Sequence, residues 1–455
     1  MEQVILGIDI GSSKICSLIA EIKSGNPHII GMGVQPAKGV RKGAIVNIEQ
    51  ASRSIKESVN DAKRIAGTNI SQAIISISGA YTKSINSTGI INNPHNDIGI
   101  QEINRVMQTA LYNANIPNNH EVLHVLPYLF KVDGREYIDD PFGMSGTRLE
   151  VSVHIVTAQK SGLENLKKAV RNAGIEVSEI VLSAYASSIA VLTNDEKELG
   201  VACIDMGASS CDIMIHSGNS MRYNYFLGVG SGHVTQDIVM VLSTTPAAAE
   251  KIKIDFGTLF DLTPEEITYT LDIPTIGTDE RREVSLEILH GVVVSRVLET
   301  LQMIENAIEV SELRNNLGAG IVITGGMAYM KGLRELTSNV FKNLPVRIAN
   351  PKEINGSFDS LKDPAYATVI GLILYGSGKY TNYELDSNKK LKYNQNKSPE
   401  NSNLSDLNDK ESDLTDLVMS KNEENKNEKN NIEIKLDKGK NKTGDKFMKW
   451  LKELF

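Results

Sequence analysis

The chain has 455 residues, with 48 basic and 56 acidic side chains, a formal net charge of −8 and three cysteines. That length supports two or three domains with their own cores, and the negative balance argues against a generic nucleic-acid binder. Cys16, Cys203 and Cys211 show neither metal-ligand spacing nor an even disulfide framework, so they read as small buried thiols of a reducing compartment. The opening "MEQVILGIDIG" lacks the parts of a signal peptide, and no apolar run reaches the ~18–20 residues of a membrane span. A soluble cytosolic protein is expected.

From Met1 to about Tyr380, β-rich runs alternate with helical patterns. "QVILGIDIG", "AIISISG", "VACIDMG" and "GIVITGG" read as strands ending in glycine. "IEQASRSIKESVNDAKRIA" and "LEILHGVVVSRVLETLQMIENAIEV" carry apolar residues at helical spacing. This alternation predicts α/β domains with largely parallel sheets. Between about Tyr81 and Ala158 the pattern changes: "HEVLHVLPYLFKVDG" and "RLEVSVHIVTA" alternate apolar and polar residues, as half-exposed antiparallel strands do. An inserted subdomain is expected there. After Tyr380 the composition turns to Asn, Lys, Glu, Asp and Ser, too polar to offset chain entropy by burial, and predicts a disordered linker.

The chemistry-bearing feature is a repeated strand-Asp-x-Gly unit. "GIDIGSSK" supplies Asp9, Gly11, Ser12, Ser13 and Lys14; "CIDMGASSCD" supplies Asp205, Gly207, Ser209 and Ser210 almost two hundred residues later. Glycines at such turns let backbone N–H groups face phosphate oxygens. The serines add donors and Lys14 a cation, while Asp9 and Asp205 suit Mg2+ held through its waters. Either unit alone is more often an ordinary hairpin turn; two of them suit half-domains facing across a cleft. A third segment, "GIVITGGMAYMKGL", runs a strand into Gly325, Gly326 and Met327, where a ring or sugar can approach closely. Neither a dinucleotide fingerprint nor a P-loop spacing is present.

In this order the three segments resemble the two phosphate loops and the adenosine motif of the actin/Hsp70/sugar-kinase ATPase superfamily. "LSAYASSIAVL" and "DPAYATVIGLILYG" fall where its connecting helices would. The resemblance implies an actin-like α/β fold with two lobes around a nucleotide cleft. Within the superfamily, "LHVLPYLFKVDGREYIDDPFGMSGTRLEVSVHIVTA", "GSGHVTQDI" and "AAAEKIKIDFG" resemble the FtsA family of bacterial cell-division proteins. That implies subdomain 1A over 1–83 and 161–197, an inserted α+β subdomain 1C over 84–160, and subdomains 2A and 2B over 198–378, with 2B at about 235–312. A disordered linker over 379–443 and an amphipathic membrane-targeting helix over 444–455 complete the plan.

The family likeness also implies that Gly230 and Ser231 lie near the phosphates and that Glu250 and Lys253 approach the ribose and base. ATP and Mg2+ are the implied cofactors. The implied partners are the C-terminal tail of the tubulin-like FtsZ on 2B, further copies of the chain in a filament, later division proteins, and the cytoplasmic face of the bacterial inner membrane at the division site. Two departures matter. The second loop reads Gly207-Ala208-Ser209-Ser210, where the family usually has three glycines and a threonine, and the segment before Ala186 offers no Gln or Glu to orient a water. Slow or regulatory hydrolysis is therefore expected. The alternatives are a pilus-assembly scaffold of the PilM type and a small-molecule kinase.

The chain closes on "GDKFMKWLKELF". On a helical wheel Phe447, Met448, Trp450, Leu451, Leu454 and Phe455 fill an arc of roughly 160°, and Lys446, Lys449, Lys452 and Glu453 take the rest. From Lys435 to Phe455, seven lysines against Asp437, Asp445 and Glu453 give a local charge of +4. Such a helix is marginal in water; on an anionic surface each lysine contributes about 1 kcal/mol. A ~60-residue coil before it spans roughly 40 Å, enough to hold a core near a bilayer.

Overall fold

A computed structural model of the chain describes residues 3–277, 281–356 and 358–393. The expected membrane-targeting helix, and most of the expected linker, lie outside these residues. Two five-stranded sheets are built alike. The first runs Glu176–Leu182, Gln72–Ile77, Gln3–Ile10, Lys14–Lys23, Asn26–Pro36; the second runs Val346–Ile348, Gly320–Thr324, Val201–Met206, Cys211–Ser217, Ser220–Leu227. In each, the strand carrying Asp-x-Gly is central. It pairs in parallel with a later strand on one side and antiparallel with the next strand on the other.

The expectation of largely parallel sheets is thus corrected: each sheet is half parallel and half antiparallel. Connection length is the reason. Only residues 11–13 and 207–210 separate the paired strands, and parallel neighbours need a crossover of a dozen or more. Central strands buried on both faces explain the near-continuous apolar runs. Leu6, Ile8, Ile15, Leu18 and Ile19 are all but fully buried, each contributing about 1.5–3 kcal/mol.

Helices cover these sheets. Ile48–Ala66 spans the predicted helical pattern; Asn47 caps it by accepting from the Gln50 amide, and Gly67 ends it in the left-handed conformation. It buries Ala51, Ile55, Val59 and Ala62, and Ser58 on the same face donates to the Gly33 carbonyl at 2.9 Å. The two expected connecting helices are Ser183–Val191 and Ala367–Gly376, which pack with Gly371 against Ala186. Beyond the second sheet, helices Ser231–Leu242, Pro246–Phe256 and Leu286–Val310 and the hairpin Thr270–Pro274/Arg281–Ser285 form the region expected as 2B. Arg296 pairs with Asp237 between the first and last of these helices. The first helix begins four residues before the expected boundary at 235.

The inserted region forms a third, antiparallel sheet in the order Leu391–Lys392, Glu384–Leu385, His120–Val132, Arg148–Gln159, Thr82–Asn92, with Arg135–Ile138 paired to His120–Val132. Helix Ile100–Asn113 buries Ile103, Val106, Met107 and Ala110 against it. Two of the six strands therefore come from residues expected to be linker. Residues 379–393 are folded onto the insert, and the expected linker start at 379 moves past Tyr393. Composition averaged over the whole polar tail hid this: Tyr383 and Leu385 are buried in the insert's core, with Leu391 and Tyr393 packed against it, and polar groups add to the hold.

Glu384, fully buried, accepts from the Tyr185 and Tyr375 hydroxyls at 2.6 Å each. Tyr185 and Tyr375 belong to the two connecting helices. His124 of the insert approaches Glu384 at 3.9 Å and accepts the Leu182 amide on its other nitrogen at 3.2 Å. Lys392 pairs with Glu179 at 2.5 Å and lies over the Tyr375 ring. Burial, against the tyrosine hydrogen bonds, pushes the Glu384 carboxyl up to about 7, while burial drives His124 down to about 3 and keeps it neutral.

A carboxyl that holds its proton better when folded stabilises the fold fully below its ordinary value near 4.5. That stabilisation is lost as pH rises through about 7. Glu384→Gln keeps an acceptor for one tyrosine and cannot ionise. In paired thermal melts from pH 5 to 8, the wild-type Tm should fall relative to the variant by several degrees across this window. A Tm difference independent of pH would refute the assignment.

Candidate functional site

The two central strands end on opposite walls of one cleft of about 260 Å³. Asp9, Gly11, Ser12, Ser13 and Lys14 line it from the first lobe; Asp205, Gly207, Ser209 and Ser210 line it from the second. Ser231, Glu250, Gly325 and Gly326 complete the set of expected residues on its surface. Both loops are the same turn: the Gly11 amide donates to the Lys14 carbonyl at 3.1 Å and the Gly207 amide to the Ser210 carbonyl at 2.8 Å. Those two amides are spent inside the turns. The amides of Ser12, Ser13, Ala208 and Ser209 donate to no group among the described residues.

Three expected residues sit elsewhere. Gly230 lies beneath the second loop as the cap of helix Ser231–Leu242, so close that a Cβ there would meet the Gly207 carbonyl at 2.6 Å. Lys253 is buried and turns its ammonium onto the Ser231 carbonyl, Thr235 and Glu250, at 3.2, 2.9 and 2.8 Å. It positions Glu250 and does not line the cleft. Met327 is buried behind Gly326. Helical periodicity cannot separate a side chain facing a cleft from one bonded along its own helix face.

Sequence reading missed others. Asp212 lines the cleft and accepts the Gly79 amide at 3.0 Å; the register that pairs it with Asp205 follows from the short turn, and the sequence interval alone hinted at it. Ser76 donates to Asp9 at 2.8 Å. Ser187 and Thr368, one from each connecting helix, both donate to Asp205. Gly43 and Ser78 also line the cleft.

The electrostatics are unusual. Asp212 is buried and Asp9 and Asp205 are half-buried, and desolvation raises all three, Asp9 to about 6 and Asp212 to about 7. Lys14 is the cation among the lining residues; burial lowers its pKa, and its ammonium rests 3.3 Å above the Tyr366 ring. Helices Ser183–Val191 and Ser231–Leu242 present their first residues to the cleft, and Ala367–Gly376 its second. Their positive dipole ends oppose the carboxylates and favour a bound anion. Among the described residues no three His, Cys, Asp or Glu side chains stand close enough to ligate a metal directly.

Comparisons with known proteins agree with this architecture. The profile described as "Cell division protein FtsA" matches residues 202–371, and that described as "SHS2 domain inserted in FTSA" matches 79–157. Cell division protein FtsA of Helicobacter pylori is 44% identical over 423 residues, covering 87% of this chain and 86% of its own. The Pseudomonas aeruginosa protein of that name is 36% identical, covering 83% and 90%, and the Escherichia coli K12 protein 30%, covering 86% and 94%. Among solved structures, the PilM–PilN type IV pilus biogenesis complex superposes with a TM-score of 0.60 at 16% identity, over 82% of this chain and 98% of that one. MreB5 of Spiroplasma citri bound to ADP gives 0.50 at 14%, over 83% and 97%; these likenesses establish the actin-like fold. By its profile matches and its identity to relatives along most of its length, the chain belongs to the FtsA family of cell division proteins.

Proposed function

We propose that this chain is an ATP-binding, actin-like division protein that ties an FtsZ ring to the cytoplasmic membrane and recruits later division proteins. The observation that carries the reading is the meeting of both Asp-x-Gly loops and Gly325-Gly326 at one cleft, in a chain of this family. The unpaired amides of Ser12, Ser13, Ala208 and Ser209, with Lys14 and the helix ends, suit a polyphosphate. Gly325, Gly326 and Glu250 suit its sugar and base. Mg2+, held through water by Asp9 and Asp205, would offset the buried negative charge.

Ala208 and Ser209 add bulk where the family has glycines, so hydrolysis is slow and the nucleotide chiefly sets the lobe arrangement. The insert contributes filament contacts, and the region at about 235–312 receives the FtsZ tail. The terminal helix over 444–455 binds anionic lipid weakly as one copy and strongly as many.

Two measurements test this. Full-length protein titrated with a fluorescent ATP analogue in Mg2+ should bind, and Lys14→Ala should weaken binding about 10–100-fold, the worth of one charge-assisted bond. An unchanged affinity would remove Lys14 from the phosphate site. Deleting Gly444–Phe455 should abolish co-sedimentation with anionic vesicles while leaving nucleotide affinity within about twofold; retained sedimentation would sink the anchor.

A further inference from the structure

The hairpin Val40–Arg41/Ala44–Ile45 is two residues per strand and turns at Lys42-Gly43. Both turn residues have positive φ, 48° and 71°, the pattern of a type I′ turn. Gly43 meets that requirement freely, and a Cβ there would also lie 2.4 Å from Ser78. Lys42 does not: a long side chain is held in the left-handed region where Asn or Gly is the ordinary choice. Strain of this kind persists where the surroundings impose it, and it clusters at functional sites.

The two turn amides reach opposite walls of the cleft. The Lys42 amide donates to Ser209 Oγ and the Gly43 amide to Ser12 Oγ, each at 3.1 Å. One short turn is thus bonded to the serines of both phosphate loops, one per lobe. A serine hydroxyl whose lone pair is taken by an amide keeps its own proton to give, so both hydroxyls are prepared as donors. The Lys42 methylenes pass close to Gly228 of the second lobe. Its ammonium is exposed and has no ion pair or ring contact among the described residues.

We propose that the Lys42–Gly43 turn recognises the terminal phosphate of a nucleoside triphosphate, Lys42 being the residue that separates triphosphate from diphosphate. This rests on the nucleotide reading above. A ligand whose ring lies on Gly325-Gly326 and whose phosphates run between the loops meets this turn with its outermost phosphate. Ser12, Ser209 and the Lys42 ammonium then close on one group from three sides and tie the lobes together. A diphosphate ends short of the turn and leaves it bonded only to the two serines.

The test uses the full chain with Mg2+ and calorimetric titration of ADP and a non-hydrolysable ATP analogue. Lys42→Ala should weaken the triphosphate about tenfold and change ADP by less than about twofold. Lys42→Arg should restore most of the loss. Lys42→Gly should show the same triphosphate defect with an equal or higher Tm, since glycine relieves the positive φ, which separates a lost charge from a damaged fold. Equal losses for both nucleotides, or none, overturn the proposal while leaving the nucleotide reading intact. If the wild type binds neither nucleotide, both fail.

Discussion

The constraint on which the site depends is the desolvation of three carboxylates in one cleft. Asp212 is buried, Asp9 and Asp205 are half-buried, and Lys14 alone among the lining side chains carries compensating charge. Isolated buried anions are costly, so the fold surrounds each with donors. Ser76 serves Asp9, Ser187 and Thr368 serve Asp205, and the Gly79 amide serves Asp212. Raised pKa values remain, Asp9 to about 6 and Asp212 to about 7. Donors alone therefore leave the balance incomplete.

The strands, the main helices and the cleft loops were legible because their signals are local. A central strand buried on both faces must be apolar throughout, and the Asp-x-Gly turn that ends it is fixed in sequence. Sheet polarity was misjudged for a non-local reason: glycine-ended strands suggest parallel pairing, yet three- and four-residue links force reversal. Ser76, Ser187 and Thr368 escaped notice because each reaches its aspartate only after remote strands and helices converge. Lys253 and Met327 lie in motifs near the cleft, and their side chains turn inward.

Residues 379–393 show the same limit in another form. Composition averaged over the tail assigns them to a linker, although Tyr383 and Leu385 are buried in the insert's core. What orders them is Glu384 under two tyrosine hydroxyls, Lys392 on Glu179 and across the Tyr375 ring, and short pairing with the insert. Interactions of this kind are invisible to hydropathy, because a polar residue held by specific partners looks like one left in water. The described residues therefore end just after an edge strand, in a segment that binds the insert to both connecting helices.

That placement bears on how the lobes and the insert move relative to each other. Gly79, whose amide Asp212 accepts, lies between strand Gln72–Ile77 of the first-lobe sheet and the first strand of the insert. Phe226 of the second lobe packs against it, and farther along the same strand Asn224 meets His154 of the insert at 2.9 Å. A rotation of the second lobe must either break the Asp212–Gly79 bond or carry the root of the insert with it. Breaking it would leave a buried amide unpaired at a cost of about 1–3 kcal/mol. Moving the root loads the Glu384 cluster, which fastens the opposite edge of the same sheet to the connecting helices. The cleft, the insert and the last described strands are thus joined through the Asp212–Gly79 and Asn224–His154 contacts and the two hydrogen bonds of Glu384, so a change in lobe angle would strain all of them.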